Sequence, residues 1–340
     1  MRIKKIALPF LFLIVLSIFS SILLVTAQTS TLTLTVTTNK QTTYDKYDPI
    51  TISGTLQLGS ESPSNALIGV EVDYPSSTGL GPMVLRTVQT GTGTPTGVAE
   101  QITSAYPTSG LGGSQTTSFE NGTEAYFTVD VTDLDSQAHN NMLLAVTIFD
   151  GNGVPLGVGT ATMSMSAGGT QPAYVDIPIP VWAHTGTAYG YADLYSGLPS
   201  NPNTPGTPMA QEESFQFTIT GTSTPASGPA PTSSSTTAGA YSLTFKLPKY
   251  CPDGAYQIYT SASWGGQTAK AQTGINVLLI GDFDFAGSVT GEDLFIFAAA
   301  YIDYYNGQPY NTLCDITNQG KVDSTDFFLF VGAYIQWWSP

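Results

Sequence analysis

The sequence predicts a mainly β chain: two β-sandwiches, one inserted into the other, followed by a small domain of two helices. Three observations carry this expectation. Short runs of alternating apolar and polar residues recur from Leu32 to Leu279, the pattern of half-buried strands. The strands after Gly239 are too few for a sandwich of their own and need those before Thr90 to complete one. A shift of 33 residues, which lays Asp282 on Asp315, superimposes the last stretch of the chain on itself, the mark of an internal duplication.

Taken in order, residues 1–27 read as an export signal. Arg2, Lys4 and Lys5 precede the apolar run Ile6 to Val25, and Val25-Thr26-Ala27 supplies a small-residue cleavage site. The run is also long enough to span a bilayer, so an uncleaved anchor is the alternative. Either way the rest of the chain is expected outside the cell, secreted or held at its surface. Charged residues make up only 10% of the chain, and 25 acids against 10 bases give a formal charge of -15. That balance argues against nucleic acid and anionic lipid as partners and leaves divalent cations as natural ones.

The first strands are Leu32-Leu34-Val36 and Ile50 to Leu58, then Val70-Val72-Tyr74 with Glu71 and Asp73 on the outward face, then Met83 to Val88. The alternation stops at Thr90 to Gly97. A second set covers Tyr126 to Val131, Leu143 to Phe149, Val154 to Val158, Thr160 to Met165, Tyr174 to Ile179, Ala188 to Leu194 and Phe215 to Ile219. About seven short strands at this spacing is the number expected of an immunoglobulin-like sandwich. Residues 221–239 form a Ser/Thr/Pro tract with too few apolar residues to fold, read as a linker. Strands resume at Tyr241 to Leu247, Tyr256 to Tyr259 and Ile275 to Leu279. The domains are therefore expected at 28–96 with 238–279, at 97–220 for the insert, and at 280–340, since insertion at a loop tip is tolerated when the insert's ends lie close together.

The stretches "TNKQTTYDKYDPITISGTL", "VEVDYPS" and "YSLTFKLPKYCPDGAYQIYTS" resemble bacterial and archaeal Ig-like domains of the macroglobulin type. The insert, with "FENGTEAYFTVDVTDLDS" and "LLAVTIFDGNGVPLG", is similar to adhesion-related domains of the CARDB kind. Both resemblances imply Ig-like sandwiches.

In the C-terminal duplication Gly287 meets Gly320, Val289 meets Val322, Asp293 meets Asp326, and Phe295, Phe297, Ala300, Tyr301 and Ile302 all recur. Each copy is a short loop followed by a helical stretch, roughly Asp293 to Tyr305 and Thr325 to Trp338. The loops fit a twelve-residue calcium geometry, with carboxylates at the first and last positions, Gly at the sixth and a backbone carbonyl at the seventh. The candidate ligands are Asp282, Asp284, Ser288, Thr290 and Asp293 in the first loop. In the second they are Asp315, Thr317, Gln319, Lys321, Asp323 and Asp326. Both sets are degenerate: Ala286 offers nothing at position five, and Thr317 and Gln319 stand where Asp or Asn is usual. With a dissociation constant near 10⁻⁴ M and extracellular calcium near 10⁻³ M, one such loop would still stabilise the fold by about 1.4 kcal/mol.

The paired D-x-x-x-x-G-x-V-x-x-x-D frame, spread over residues 280–340, resembles the type I dockerin module, whose loops end in Asp where an EF-hand has Glu. The resemblance implies two calcium ions, a pair of helices and docking to a cohesin-like or other cell-surface protein. It points to loop positions ten and eleven as partner contacts, Gly291 and Glu292 in the first copy and Ser324 and Thr325 in the second.

Little points to catalysis. His139 and His184, the only histidines, read as structural or surface residues, and no nucleophile elbow, phosphate loop or zinc-peptidase motif is present. The chain is therefore expected to be no enzyme, but a modular protein of assembly or adhesion; the alternative is an accessory, polysaccharide-binding subunit of a cohesin–dockerin degradative complex. Asn121 in "NGT" is a glycosylation acceptor motif. Cys251 and Cys314 are the only cysteines, and outside the cell such a pair can join, so both bridged and free states stay open.

Overall fold

The computed structural model describes residues 30–40, 43–95, 98–235, 237–284, 286–317 and 319–338. The expected export signal lies outside the described residues. The protein is mainly β, with two helices of 15 residues at the C-terminal end.

Before the insert come β1 (Leu32–Leu34), β2 (Thr37–Thr38), β3 (Thr43–Asp45), β4 (Pro49–Leu58), β5 (Leu67–Asp73) and β6 (Pro82–Gln89). The middle region forms β7 (Glu100–Thr108), β8 (Ser118–Glu120), β9 (Glu124–Asp133), β10 (His139–Phe149), β11 (Pro155–Met165), β12 (Thr170–Pro178), β13 (Gly186–Tyr195) and β14 (Glu213–Thr220). After it come β15 (Thr232–Ser234), β16 (Ala240–Lys246), β17 (Gly254–Trp264) and β18 (Gln267–Leu278). The helices are α1 (Gly291–Tyr305) and α2 (Ser324–Trp338).

Strands from both ends of the chain share two sheets, one ordered β1-β4-β16-β15 with β2 also on β4, the other β3-β18-β17-β5-β6. The antiparallel registers Ile50↔Phe245 and Val70↔Thr260 join segments that the middle region separates. Alternation puts Ile50, Ile52 and Leu56 of β4 inward, where they meet Val70, Val72, Leu243, Phe245, Tyr256 and Ile258 in one core. Gly54 is where β4 passes under Thr35: a Cβ there would lie 1.9 Å from the Thr35 carbonyl oxygen, which accepts from the Tyr241 hydroxyl.

The middle region has its own pair of sheets, β11-β10-β13-β14-β8 and β12-β9-β7. Phe127, Val129, Val146, Ile148, Val175, Leu194 and Phe217 fill the space between them. Three expectations need revising here. Strand β7 falls where no strand was read, because its polar sequence EQITSAYPT hides the alternation. The stretches expected as two strands, Val154 to Val158 and Thr160 to Met165, form one, β11 (Pro155–Met165). The hairpin β17–β18 is longer than expected on both sides, turning at Gly265 and Gly266 with positive φ.

The Ser/Thr/Pro tract does not run free. Its backbone is held by the middle region: Thr185 N–H donates to the Thr224 carbonyl, Ala226 N–H to that of Thr185, and the Asn152 side chain accepts from Ser227 N–H and Gly228 N–H. Thr232–Ser234 then joins β16 as an edge strand. Polar composition removed the hydrophobic reason to fold; backbone hydrogen bonding supplied another.

The outward face of β5 and β6 is also not solvated. Glu71, expected to face water, is buried and accepts from Ser200 N–H at 2.7 Å and Ser200 Oγ at 2.9 Å. Burial, then the Asp73 charge, pushes its carboxyl up to about 7. Arg86 is fully buried, its guanidinium forked onto both carboxylate oxygens of Glu212 and lying 3.3 Å from the Tyr191 ring centroid. Thr87 N–H donates to Asp193 Oδ1 and its hydroxyl to Tyr195, while Leu85, Ala145 and Tyr195 pack as a small apolar cluster.

Cys251 and Cys314 are free thiols, so the bridged alternative does not hold. Each is buried in a different core, Cys251 beneath β16 and β17 and Cys314 between the two C-terminal loops and helices. Burial pushes their thiols up to about 11 and about 12, far from a reactive thiolate.

Candidate functional site

The C-terminal 280–338 region is built twice on one plan. In the first loop Asp282 accepts from Ala286 N–H and Gly287 N–H, and Asp293 accepts from Phe283 N–H at 2.7 Å and Thr290 N–H at 2.8 Å. In the second, 33 residues on, Asp315 accepts from Gln319 N–H and Gly320 N–H, and Asp326 from Thr317 N–H and Asp323 N–H, each at 2.9 Å. Gly287 and Gly320 turn each loop with φ of 83° and 76°, values that favour glycine. Asp293 and Asp326 are buried at the start of α1 and α2, where a carboxylate meets the positive end of the helix. Thr290 caps α1, accepting from Glu292 N–H in a capping box with Asp293.

The repeats pack through equivalent residues. Val289 and Val322, Phe297 and Phe330 are buried together with Leu279, Phe283, Ala300 and Cys314. The Phe297 and Phe330 rings stack 5.7 Å apart at 15°. This small core orients both loops from below.

The two loops differ as ion sites. Asp282, Asp284 and Asp293 converge, each offering an oxygen within 4.8 Å of the others. Burial raises the Asp282 carboxyl above its ordinary range, against the N–H bond from Gly287. No cation of the protein enters this cluster among the described residues. In the second loop Lys321 Nζ sits 2.6 Å from Asp323 Oδ2 and, with Thr325 N–H, holds the Asp323 carboxyl down at about 2. Thr317 spends its hydroxyl on Asp326. Ser288 and Lys321 lie directly after the turning glycines, placed to offer carbonyl oxygens. The first loop can thus take a hard, oxygen-seeking cation with three carboxylates, while the second has one of its three engaged by lysine.

The expected partner residues Gly291, Glu292, Ser324 and Thr325 are all exposed at the helix starts. A stronger feature lies along both helices: the exposed apolar residues repeat as regularly as the buried ones. Leu294 and Phe327, Phe295 and Phe328, Ile302 and Ile335, Tyr305 and Trp338 are four pairs of equivalents, all exposed. Phe295 and Phe328 are 77% and 71% exposed, more than isolated surface phenylalanines need explain. The excess of aromatic residues over what two short helices can bury predicts most of them in the core and a minority at a partner surface; which positions stay outside is visible only in the structure.

Two other features border on function. A cleft of about 290 Å³ is lined by Tyr47, Trp182, His184, Tyr250, Ala333 and Trp337, so the three parts of the molecule meet there. Lys249 Nζ donates to the Trp337 carbonyl at 2.6 Å, and the Tyr250 ring lies 5.9 Å from Trp182 and 6.1 Å from Trp337. His184 sits at its edge, held by Asp150 Oδ2 at 2.7 Å and the Tyr47 hydroxyl at 3.2 Å, a structural setting. Asn121, the glycosylation candidate, follows β8 half-buried, its side-chain amide donating to the Val181 carbonyl.

No family model and no curated protein matches the chain. Among solved structures it is similar to the C-terminal domain of Wzt, 16% identical over 37% of this chain and 75% of that one, with a TM-score of 0.29. It is also similar to a β-glucuronidase of Bacteroides uniformis, 8% identical over 50% of this chain and 26% of that one, with a TM-score of 0.26. A β-glucosidase of Listeria innocua is 9% identical over 35% of this chain and 16% of that one, at a TM-score of 0.24. Likeness at this level carries no argument about fold or activity. No described helix is long and apolar enough to cross a membrane.

Proposed function

We propose that the chain is a secreted, non-catalytic assembly protein whose dockerin-like C-terminal module binds calcium and docks onto a cohesin-type receptor at the cell surface or on a scaffold. On this reading the host and inserted domains are Ig-like spacers that present the module. The observation that carries it is the repeated exposed face, Phe295 with Phe328 and Ile302 with Ile335, beside the converging carboxylates Asp282, Asp284 and Asp293. Apolar residues kept outward twice at the same positions fit a buried interface core, and the ion would fix the loops from which the helices spring.

The test is binding of the full chain to a panel of purified cohesin domains, with calcium and with chelator, beside a Phe295→Ser/Phe328→Ser variant. Chelator-sensitive capture that the variant loses is expected. Capture by none of the panel, or capture untouched by chelator and variant alike, would sink the reading.

A second reading has one observation behind it, the aromatic rings of Tyr47, Trp182, Tyr250 and Trp337 around one cleft, which suit stacking on sugar faces. It makes the chain a polysaccharide-binding accessory subunit. Retention on insoluble polysaccharide that falls on Trp182→Ala would favour it.

A further inference from the structure

The inserted domain carries a second polar cluster, at the corner where its chain first enters. The antiparallel register of β7 on β9 pairs Glu100 with Asp133, and β10 begins at His139 after a five-residue turn, 134–138. Glu100 and Asp133 are buried, while the His139 side chain is 22% exposed. Their ligand atoms lie within 4.8 Å of one another, with His139 Nε2 4.0 Å from Glu100 Oε1 and 3.2 Å from Asp135 Oδ2.

What sets this group apart is its lack of partners. Both oxygens of Glu100 and Oδ2 of Asp133 are buried without a hydrogen bond, whereas buried carboxylates are ordinarily paired. Among the described residues the one basic group within ion-pair range of Glu100 or Asp135 is His139. The backbone around them is already satisfied: Leu134 N–H donates to the Ala99 carbonyl and Asp135 N–H to Asp133 Oδ1. The bare oxygens therefore await something other than the protein's own N–H groups.

We propose that Glu100, Asp133 and His139, with Asp135 as a fourth donor from the turn, form a site for a divalent first-row transition ion of the zinc type. One imidazole and three carboxylates match zinc's preference for four nitrogen and oxygen ligands, and calcium, which takes six to eight oxygens, suits the set poorly. Ligands of a tetrahedral ion with bonds of about 2.1 Å stand roughly 3.4 Å apart, so the observed spacings close onto an ion with small side-chain movements. The ion would clip the 134–138 turn to the first strand of the insert, a structural role independent of the C-terminal loops.

The test is equilibrium dialysis of the full chain against zinc chloride, with metal counted by mass spectrometry, beside Glu100→Gln, His139→Ala and Asp282→Ala/Asp284→Ala variants. Wild type and the loop variant should retain one equivalent of zinc that the other two bind more than about tenfold more weakly, since even outer-shell losses cost 10–100-fold. In chelator, Glu100→Gln should melt no lower than wild type, because it removes a buried charge. Added zinc should then raise the wild-type melting temperature and leave the variant's unchanged. Equal zinc retention by wild type, Glu100→Gln and His139→Ala, or loss confined to the loop variant, would overturn the site. So would manganese or calcium held in preference to zinc.

Discussion

The seam between the host strands and the insert, and the first C-terminal loop, both gather acids, but they neutralise them differently. At the seam Glu212 meets Arg86 in a two-pronged pair, and Glu71 meets the Ser200 hydroxyl and N–H. In the loop, among the described residues, Asp282, Asp284 and Asp293 meet backbone N–H groups, the Thr290 hydroxyl and one another, and no protein cation. Charge matched by a protein cation is spent on structure. Three converging carboxylates without a protein cation leave room for an ion, which the single Glu71, held by Ser200, does not. The second loop stands between them, because Lys321 already occupies Asp323.

The comparison breaks most easily at Arg86. Arg86→Met leaves Glu212 uncompensated at the seam, and breaking a buried pair from one side costs about 3–5 kcal/mol. Urea unfolding of the full chain should show that loss; a change within about 1 kcal/mol would mean the seam's charges carry no structural weight.

Glu71 gives a pH test of the same seam. Its folded-state pKa, about 7, lies above the ordinary 4.5, so between those values the folded chain holds a proton that the unfolded chain releases. Its contribution is therefore favourable below pH 4.5, declines as pH rises through 7, and is constant above. The whole change is at most about 3 kcal/mol, and Glu71→Gln should flatten the curve of stability against pH between 5 and 8.

The smallest effect belongs to the loop. Millimolar calcium should stabilise the wild type by about 1.4 kcal/mol at a dissociation constant near 10⁻⁴ M, and Asp284→Ala should abolish most of that gain. Lys321→Gln should leave it intact and add a weaker second event by freeing Asp323. Calcium protection that survives Asp284→Ala would place the ion elsewhere.

The duplication was legible because each functional position repeats: Asp282 and Asp315, Gly287 and Gly320, Phe297 and Phe330 need only a shift of the sequence to appear. Strands such as β4 were legible from the alternation of Ile50, Ile52 and Leu56. What could not be read was what covers a face. Glu71 looks solvated in any single-strand reading, and only the insert's Ser200 makes it buried. Free Cys251 and Cys314 depended on which core each entered. The Glu100, Asp133 and His139 group is assembled by the register of β7 on β9, and its trace in the sequence was the close spacing of Asp133, Asp135 and His139 in "DLDSQAH".

The register of Ile50 with Phe245 has a consequence for synthesis. Strand β4 leaves the ribosome long before β16, and until then its edge and half of the core of Ile52, Leu56, Val70 and Val72 have no cover. The insert, whose strands are contiguous in the chain, can fold in the interval and bring the ends of the host strands together, shortening the loop that must close. A destabilised insert would then show itself first as aggregation of the host, in nascent chains, before any change in the finished protein.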